Sequence, residues 1–381
     1  MPEVRVTGKR RFLRIFLLLL AAYGLWLAFQ WLRYGQAPEG GEEADPLEAV
    51  GVYHIHTLHS DGAGEPEAIA RKAARQGLDF VIFTDHGNPN PAALSLRRRQ
   101  GSLLVLAGSE ISVNRGHLVA LGFDAPPKPF SSQAEEAAHQ VRRSGGFTVI
   151  AHPYSKVRWS WGEHAGYKGI EILSGDGMLR SNWARTLPSL PLLPIAHRLP
   201  LLKLLTYPEH NLRRWDELCR SHAVYAFFSC DAHLLYGPLL SLLHLHVLLP
   251  RSLPEDHTEA RAMINTALRE GRFYNCVAAA APGHGFRFWG ESGQGRIAMG
   301  STAELTPDTL LHIRVPESAA SQWRLLHNGQ PVLESEQKTR TYLPLETGTY
   351  RVEVFLRERT YLNPDCPWIL SNPIFLRNTR T

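Results

Sequence analysis

The chain is poor in the residues that build several common kinds of site. It has only four cysteines, Cys219, Cys230, Cys276 and Cys366, and no C-x-x-C pair. That spacing excludes a cysteine zinc site and a thioredoxin-like motif, and leaves room for at most an isolated disulfide. Charge of one sign is also lacking. Lysine and arginine number 41 against 36 aspartates and glutamates, a formal net charge of +5. With no basic stripe outside the amino terminus, nucleic acid is not an expected partner. Histidine, by contrast, is abundant at 18 residues, and its meaning depends on whether the fold gathers it.

Uninterrupted apolar sequence is confined to one place. From Ile15 to Leu32 the chain reads IFLLLLAAYGLWLAFQWL, about the shortest run that crosses a bilayer core as a helix. Trp26, Trp31 and Tyr34 lie toward one end, where aromatic rings favour the membrane interface, and Arg5, Lys9, Arg10, Arg11 and Arg14 precede the run. The cationic side is expected in the cytoplasm and the remainder outside, at the periplasm or cell surface. The run is long for a signal peptide. A core helix would not be apolar on every face beside a linker such as GQAPEGGEEADP. Residues 1–34 are therefore expected to be a cytoplasmic tip and single membrane anchor that partners with lipid, followed by a linker at 35–47.

From about Val50 to Cys230, short β-branched and aromatic runs alternate with helical stretches, the pattern of an α/β fold with a parallel sheet or barrel. The runs end in candidate ligands. AVGVYHIH closes on His54 and His56, LDFVIFTDH on Asp85 and His86, and SLLVLAGSE on Glu110. GHLVALGF opens on His117, FTVIAHP closes on His152, YKGIEIL carries Glu171, and VYAFFSCDAH ends on Asp231 and His233. Residues two apart on a strand share a side, so His54 with His56, and Asp231 with His233, can grip one ion. A lone strand-end histidine is more often structural, but this many imidazoles and acids on one rim would repel and desolvate each other without a cation. The segments EPEAIARKAARQG and SSQAEEAAHQVRRSGG read as scaffold helices, with serines opening the second and His139 on its surface.

The motifs HIHTLHSDG at 54–62, TDHG at 84–87, GSE at 108–110, GHLVALG at 116–122, AHP at 151–153 and SCDAH at 229–233 together resemble the PHP (polymerase and histidinol phosphatase) superfamily. The resemblance covers about 185 residues and implies a distorted (β/α)7 TIM-like barrel over 48–281 that holds two or three divalent ions, zinc, manganese or iron. Carried over position by position, it makes His54, His56, Asp61, His86, Glu110, His117, His152, Asp231 and His233 the metal ligands. ARAMINTALREGRFYN at 260–275 is similar to the carbaryl-hydrolase (CehA/McbA-type) branch. The apolar, proline-rich stretch at about 178–210 departs from the family pattern. Packing on the barrel, a lid and a rest on the bilayer all stay open for it.

Nitrogen and carboxylate donors suit ions that lower the pKa of a bound water and polarise an ester oxygen. Glu110, with two oxygens between the other strand ends, is the expected bridging carboxylate. Asp85 is expected to accept a ring proton from His86 or a neighbour, and to share a catalytic role with His59, a rim residue placed to donate a proton. Arg115, Lys156 and Arg158 follow strand ends as loop cations. Beyond Pro282, short alternating runs such as LLHIRV and GTYRVEVFLR predict a small β-sandwich at 282–381, with structural His312 and His327. The expected function is a metal-dependent hydrolase acting on a small-molecule phosphoester. A carbaryl-type ester or amide hydrolase, or a noncatalytic metal-binding surface module, are the alternatives.

Overall fold

The computed structural model describes residues 4–34, 45–126, 128–153, 159–161, 166–357 and 361–378. Lys156 and Arg158, and most of the expected linker, lie outside the described residues. The apolar run lies in a 31-residue helix, Val4–Tyr34, whose leucines and phenylalanines face outward, Leu18 and Leu25 being 70% and 73% exposed. It is long and apolar enough to cross a membrane.

Strand Glu48–Ile55 is buried at every position. Burial on both faces is what a near-continuous apolar strand predicts for the middle of a sheet covered on each side. Phe80–Phe83 pairs parallel with it, and Leu103–Ala107 parallel with that in turn. His244–Leu248 pairs antiparallel on the other edge. A second sheet holds five strands: Ser109–Val113, Gly116–Leu121, Phe147–Ile150, Gly169–Ser174 and Tyr225–Ser229. Its last three run parallel, while the first two form a hairpin. The two sheets touch through isolated bridges, Ile55 to Ala232 and His86 to Glu110, and these are the places where the candidate ligands emerge. The expected scaffold helices are Pro66–Arg75 and Ala134–Arg143, with Ile69, Ala70 and Ala73, and Ala137, Ala138 and Val141, turned inward at helical spacing. Gln133, not a serine, stands at the N-cap position of the second, and Asn114 Oδ1 accepts from the Ala134 N–H at 3.1 Å.

Each alternating run named beyond Pro282 falls on a strand, Leu310–Arg314 and Gly348–Leu356 among them. Four strands, including Arg287–Ser292 and Thr339–Tyr342, make a separate sheet. The others join the large one, because Phe273–Cys276 pairs antiparallel with Ile369–Ser371. A 12-stranded sheet thus runs across the boundary expected near residue 281. Side chains reinforce the continuity: the Arg351 guanidinium donates to both Asp216 oxygens, at 3.0 and 2.9 Å, across from helix Glu209–Cys219. All four cysteines are buried and unpaired, so no disulfide forms. His312 stacks on Trp289 and His327 on Tyr350.

The 178–210 stretch folds into short helical turns, including Gly175–Asn182, Leu187–Leu192, Leu193–Ala196 and Arg198–Leu202. Leu201, Leu202, Leu204 and Leu205 enter the main core. Leu192, Ala196 and Leu199 form a satellite cluster against Leu27 of the amino-terminal helix. Packing is therefore part of its role, yet Trp183, Leu187 and Ile195 stay exposed.

Candidate metal centre

The site is built where parallel strands of both sheets end and where the hairpin Ser109–Val113, Gly116–Leu121 brings in Glu110 and His117. Glu110 is its hub. Its carboxylate is buried, and its two oxygens face different groups of rings. Oε2 lies 3.1 Å from Nε2 of both His54 and His56 and 3.5 Å from His86 Nε2. Oε1 lies 3.1 Å from His117 Nδ1 and 3.0 Å from His152 Nε2. Asp231 Oδ1 stands 3.5 and 3.6 Å from the same nitrogens of His54 and His56. Across the mouth, Asp61 is half exposed and faces His56 at 3.2 Å, His233 at 3.4 Å and His86 at 3.7 Å. The nine residues proposed as ligands from sequence thus converge on one cavity of about 330 Å³, His54 and His56 behind it and the other seven lining it.

Backbone geometry contributes something that sequence does not reveal. Among the described residues, five that are not glycine have positive φ, and three of them are His54 at 67°, His152 at 27° and Asp231 at 47°. Such conformations cost about 1–3 kcal/mol each and persist where surrounding structure enforces them, typically at functional sites. The loop after His56 is drawn tight as well. A Cβ on Gly62 would come within 2.5 Å of the His56 carbonyl, which accounts for glycine at the end of HSDG.

Glu171 orients rather than lines. Its Oε1 is 2.6 Å from His54 Nδ1 and its Oε2 accepts from the His152 backbone N–H at 2.8 Å. Asp85 departs from expectation. Its oxygens accept from the Thr57 N–H and hydroxyl at 2.7 and 2.9 Å and from the Ser60 hydroxyl at 2.7 Å, so it pins the loop after His56 and meets no imidazole. The reason is that the Thr57 and Ser60 donors occupy both of its oxygens. His59 is exposed and outside the cavity, with only its backbone engaged, which removes the geometric basis for proton donation. Arg115 is held by Glu135 at 3.2 Å and by the Ser160 carbonyl. Cys230 packs in the core.

Three contributors escaped sequence reading. Ser174 donates to Asp231 at 3.3 Å. The Tyr236 hydroxyl lies 2.9 and 2.8 Å from the carbonyls of His56 and His233 and accepts from Gly64. Arg180, paired with Asp176, sits at the cavity wall. None has a flanking motif; Ser174, immediately after YKGIEIL, was the only one with a positional signal.

The donor set fits divalent cations. Nine nitrogen or carboxylate residues converge, and among the described residues His56 Nε2 and His86 Nδ1 are buried without a hydrogen-bond partner. Burial works against charge on His54, but Glu171, then Asp231 and Glu110, hold its pKa well above the ordinary value. Burial likewise opposes ionisation of Glu110, yet His54, and then hydrogen bonds with His117 and His152, hold its carboxyl well below the usual range. The acids around His54 thus favour a cationic group at the back of the cavity.

Residues 53–176 match the family model described as the PHP domain. An uncharacterized protein of Methanocaldococcus jannaschii is 26% identical over 147 residues, covering 34% of this chain and 85% of that protein. Among solved structures, a two-domain protein from Bacteroides vulgatus containing a predicted PHP-like metal-dependent phosphoesterase is 15% identical. It covers 89% of this chain and 99% of its own, with a TM-score of 0.43. An amidohydrolase from Chromobacterium violaceum is 19% identical over 48% of this chain and 87% of its own, with a TM-score of 0.32. The matched segment contains every converging residue except Asp231 and His233. Residues 53–176 are thus similar to the PHP domain, and the clustered imidazoles and carboxylates form groups that could hold a metal ion.

Proposed function

We propose that the chain is a membrane-anchored phosphoesterase that holds two or three divalent ions, zinc, manganese or iron, on His54, His56, Asp61, His86, Glu110, His117, His152, Asp231 and His233. The observation that carries this reading is the division of Glu110, one oxygen toward His54, His56 and His86 and the other toward His117 and His152. A carboxylate so placed could serve an ion held by either group of rings. Ions there supply Lewis acidity and make water a nucleophile near neutral pH.

The chain's own residues do the positioning. Glu171 fixes the His54 ring through Nδ1 and leaves Nε2 to the cavity; Asp85, Thr57 and Ser60 hold the loop that carries Asp61. Tyr236 ties the carbonyls of His56 and His233 together. Asp61, half exposed at the mouth, faces the side from which substrate enters. We read the two bridged sheets as halves of the distorted (β/α)7 barrel over 48–281, and 282–381 as a sandwich that shares its edge. Helix Val4–Tyr34 is read as one span with its cationic end in the cytoplasm and the hydrolase outside.

Hydrolysis of p-nitrophenyl phosphoesters and of aryl carboxylic esters by the zinc- or manganese-loaded chain tests this. Phosphoester turnover at least about 100-fold above the aryl ester is expected. The reverse preference would favour the carbaryl-type reading, and turnover of neither with bound metal would favour a noncatalytic module.

A further inference from the structure

The cavity has an apolar annex. A pocket of about 130 Å³ opens beside the metal centre and shares Asp176, Asp231 and His233 with it. Its walls are otherwise dominated by leucines, among them Leu179, Leu190, Leu193 and Leu204 from the 178–210 stretch and Leu234 and Leu235 from the loop after the DAH motif. Leu190, Leu234 and Leu235 are 43%, 53% and 43% exposed. Leu235 takes a left-handed φ of 53°, a conformation that costs energy for a branched residue. Leucines left in water beside a polar ion site gain nothing from that placement unless something apolar covers them.

A second, separate observation says what covers them. The 178–210 stretch rests on the apolar amino-terminal helix. The Tyr23 hydroxyl donates to the Pro188 carbonyl at 2.8 Å, Leu27 packs on Leu192, Ala196 and Leu199, and Lys203 lies over the Trp26 ring. Tyr23 is about 16 Å, at 1.5 Å per residue, from the helix end at Tyr34. With Trp31 and Tyr34 at the outer interface, Tyr23 would lie near the midplane of a core about 30 Å thick, so the contacts from Tyr23 to Leu27 set residues 187–199 alongside the outer leaflet's acyl chains. Trp183, Leu187 and Ile195, exposed at 56%, 48% and 65%, then face lipid. The same segment therefore touches the bilayer on one side and walls the metal cavity on the other.

We propose that the substrate is an amphiphile drawn from the outer leaflet, a phosphoester whose alkyl chain occupies the leucine pocket while its phosphate reaches the metal centre. This rests on the phosphoesterase reading and names its substrate class. The head group meets the imidazoles and carboxylates that hold the ions. The chain avoids crossing water because the pocket is continuous with the membrane-facing segment.

The test is a chain-length series. Binding of alkylphosphonates from methyl to octyl to the zinc-loaded full-length chain in phosphatidylcholine nanodiscs is followed by calorimetry, corrected with empty discs. Hydrolysis of the matching alkyl p-nitrophenyl phosphodiesters is measured alongside. Octylphosphonate should bind at least about 100-fold more tightly than methylphosphonate, well within the ceiling of about 4-fold per buried methylene. The double variant Leu190→Asp, Leu234→Asp, at two exposed positions, should reduce that octyl-to-methyl ratio about 10-fold or more. A ratio near one in the wild type, or one the double variant leaves unchanged, overturns the proposal. Methyl diester hydrolysed as fast as octyl leaves the phosphoesterase reading standing and removes this one; no hydrolysis of either, with metal bound, removes both.

Discussion

One strand carries two histidine–carboxylate clusters, one at each end, and they have opposite fates. At its start, Glu48 is buried and accepts from the Tyr274 hydroxyl at 2.8 Å, with His246 at 2.7 Å, His284 at 3.1 Å and Arg287 at 2.5 Å. Arg287 reaches on to Asp45. At its end, His54 opens onto Asp231, Glu110 and Glu171, with five more imidazoles around them. Residue types alone do not separate these clusters. The first contains its own cation and enough donors to saturate its carboxylate, so a metal would have to displace an arginine from a buried partner. The second holds four acids, Asp61, Glu110, Glu171 and Asp231. Among the described residues, the one arginine on its wall, Arg180, is already paired with Asp176. The difference is one of charge: the first cluster supplies its own cation through Arg287, and the second leaves its acids to the surrounding imidazoles.

The largest effect should come from the open end. Glu110→Gln keeps the shape and removes the charge between the two ring groups, and hydrolysis should fall on the order of 1000-fold with loss of bound metal, measured by steady-state kinetics and elemental analysis. At the closed end, Arg287→Met should leave metal content intact but destabilise the fold by about 3 kcal/mol, because Glu48 loses its buried partner; denaturant titration reads this. If Arg287→Met lost metal instead, the comparison would break.

Glu171→Gln sharpens the distinction between lining and orienting. With only the His54 Nδ1 contact weakened, metal affinity should drop about 10- to 100-fold, the range for partners that orient a ligand, as chelator competition would show. The smallest effect concerns pH. His244, beside His246 on strand His244–Leu248, is pushed down to about 4 by burial and then by His246. An unfolded chain takes up a proton near pH 6.5 that the folded chain refuses until about 4. Stability is therefore fully present above 6.5 and is lost as pH falls across that window. Melting temperatures between pH 7 and 4 should decline less steeply in His244→Gln.

Much of this was legible before any coordinates. HIH, TDH, GSE and DAH all deliver side chains to one cavity, because the chemistry of a metal ligand and its place at a strand end are both visible in sequence. Glu171 was legible as a candidate ligand, and the structure turns it to His54 Nδ1 rather than into the cavity. Asp85 was misread because a carboxylate beside a histidine says nothing of which way each turns; the hydroxyls of Thr57 and Ser60 captured it. The left-handed backbone at His54, His152 and Asp231 was not legible, because histidine and aspartate adopt positive φ more often than most residues but still only in a minority of cases. The sheet shared by Phe273–Cys276 and Ile369–Ser371 was hidden as well, because strand pairing across nearly a hundred residues leaves no local pattern. The Glu48 cluster escaped for the same reason: its members come from four separate segments.

The most direct test is metal content. Elemental analysis of the purified full-length chain, after dialysis against metal-free buffer, should find about two or more divalent ions per chain, falling to one or fewer in Glu110→Ala and unchanged in Arg287→Met. A wild-type chain with less than one ion, or a Glu110→Ala chain with as many as the wild type, would contradict the assignment of Glu110 as the carboxylate between two ion sites.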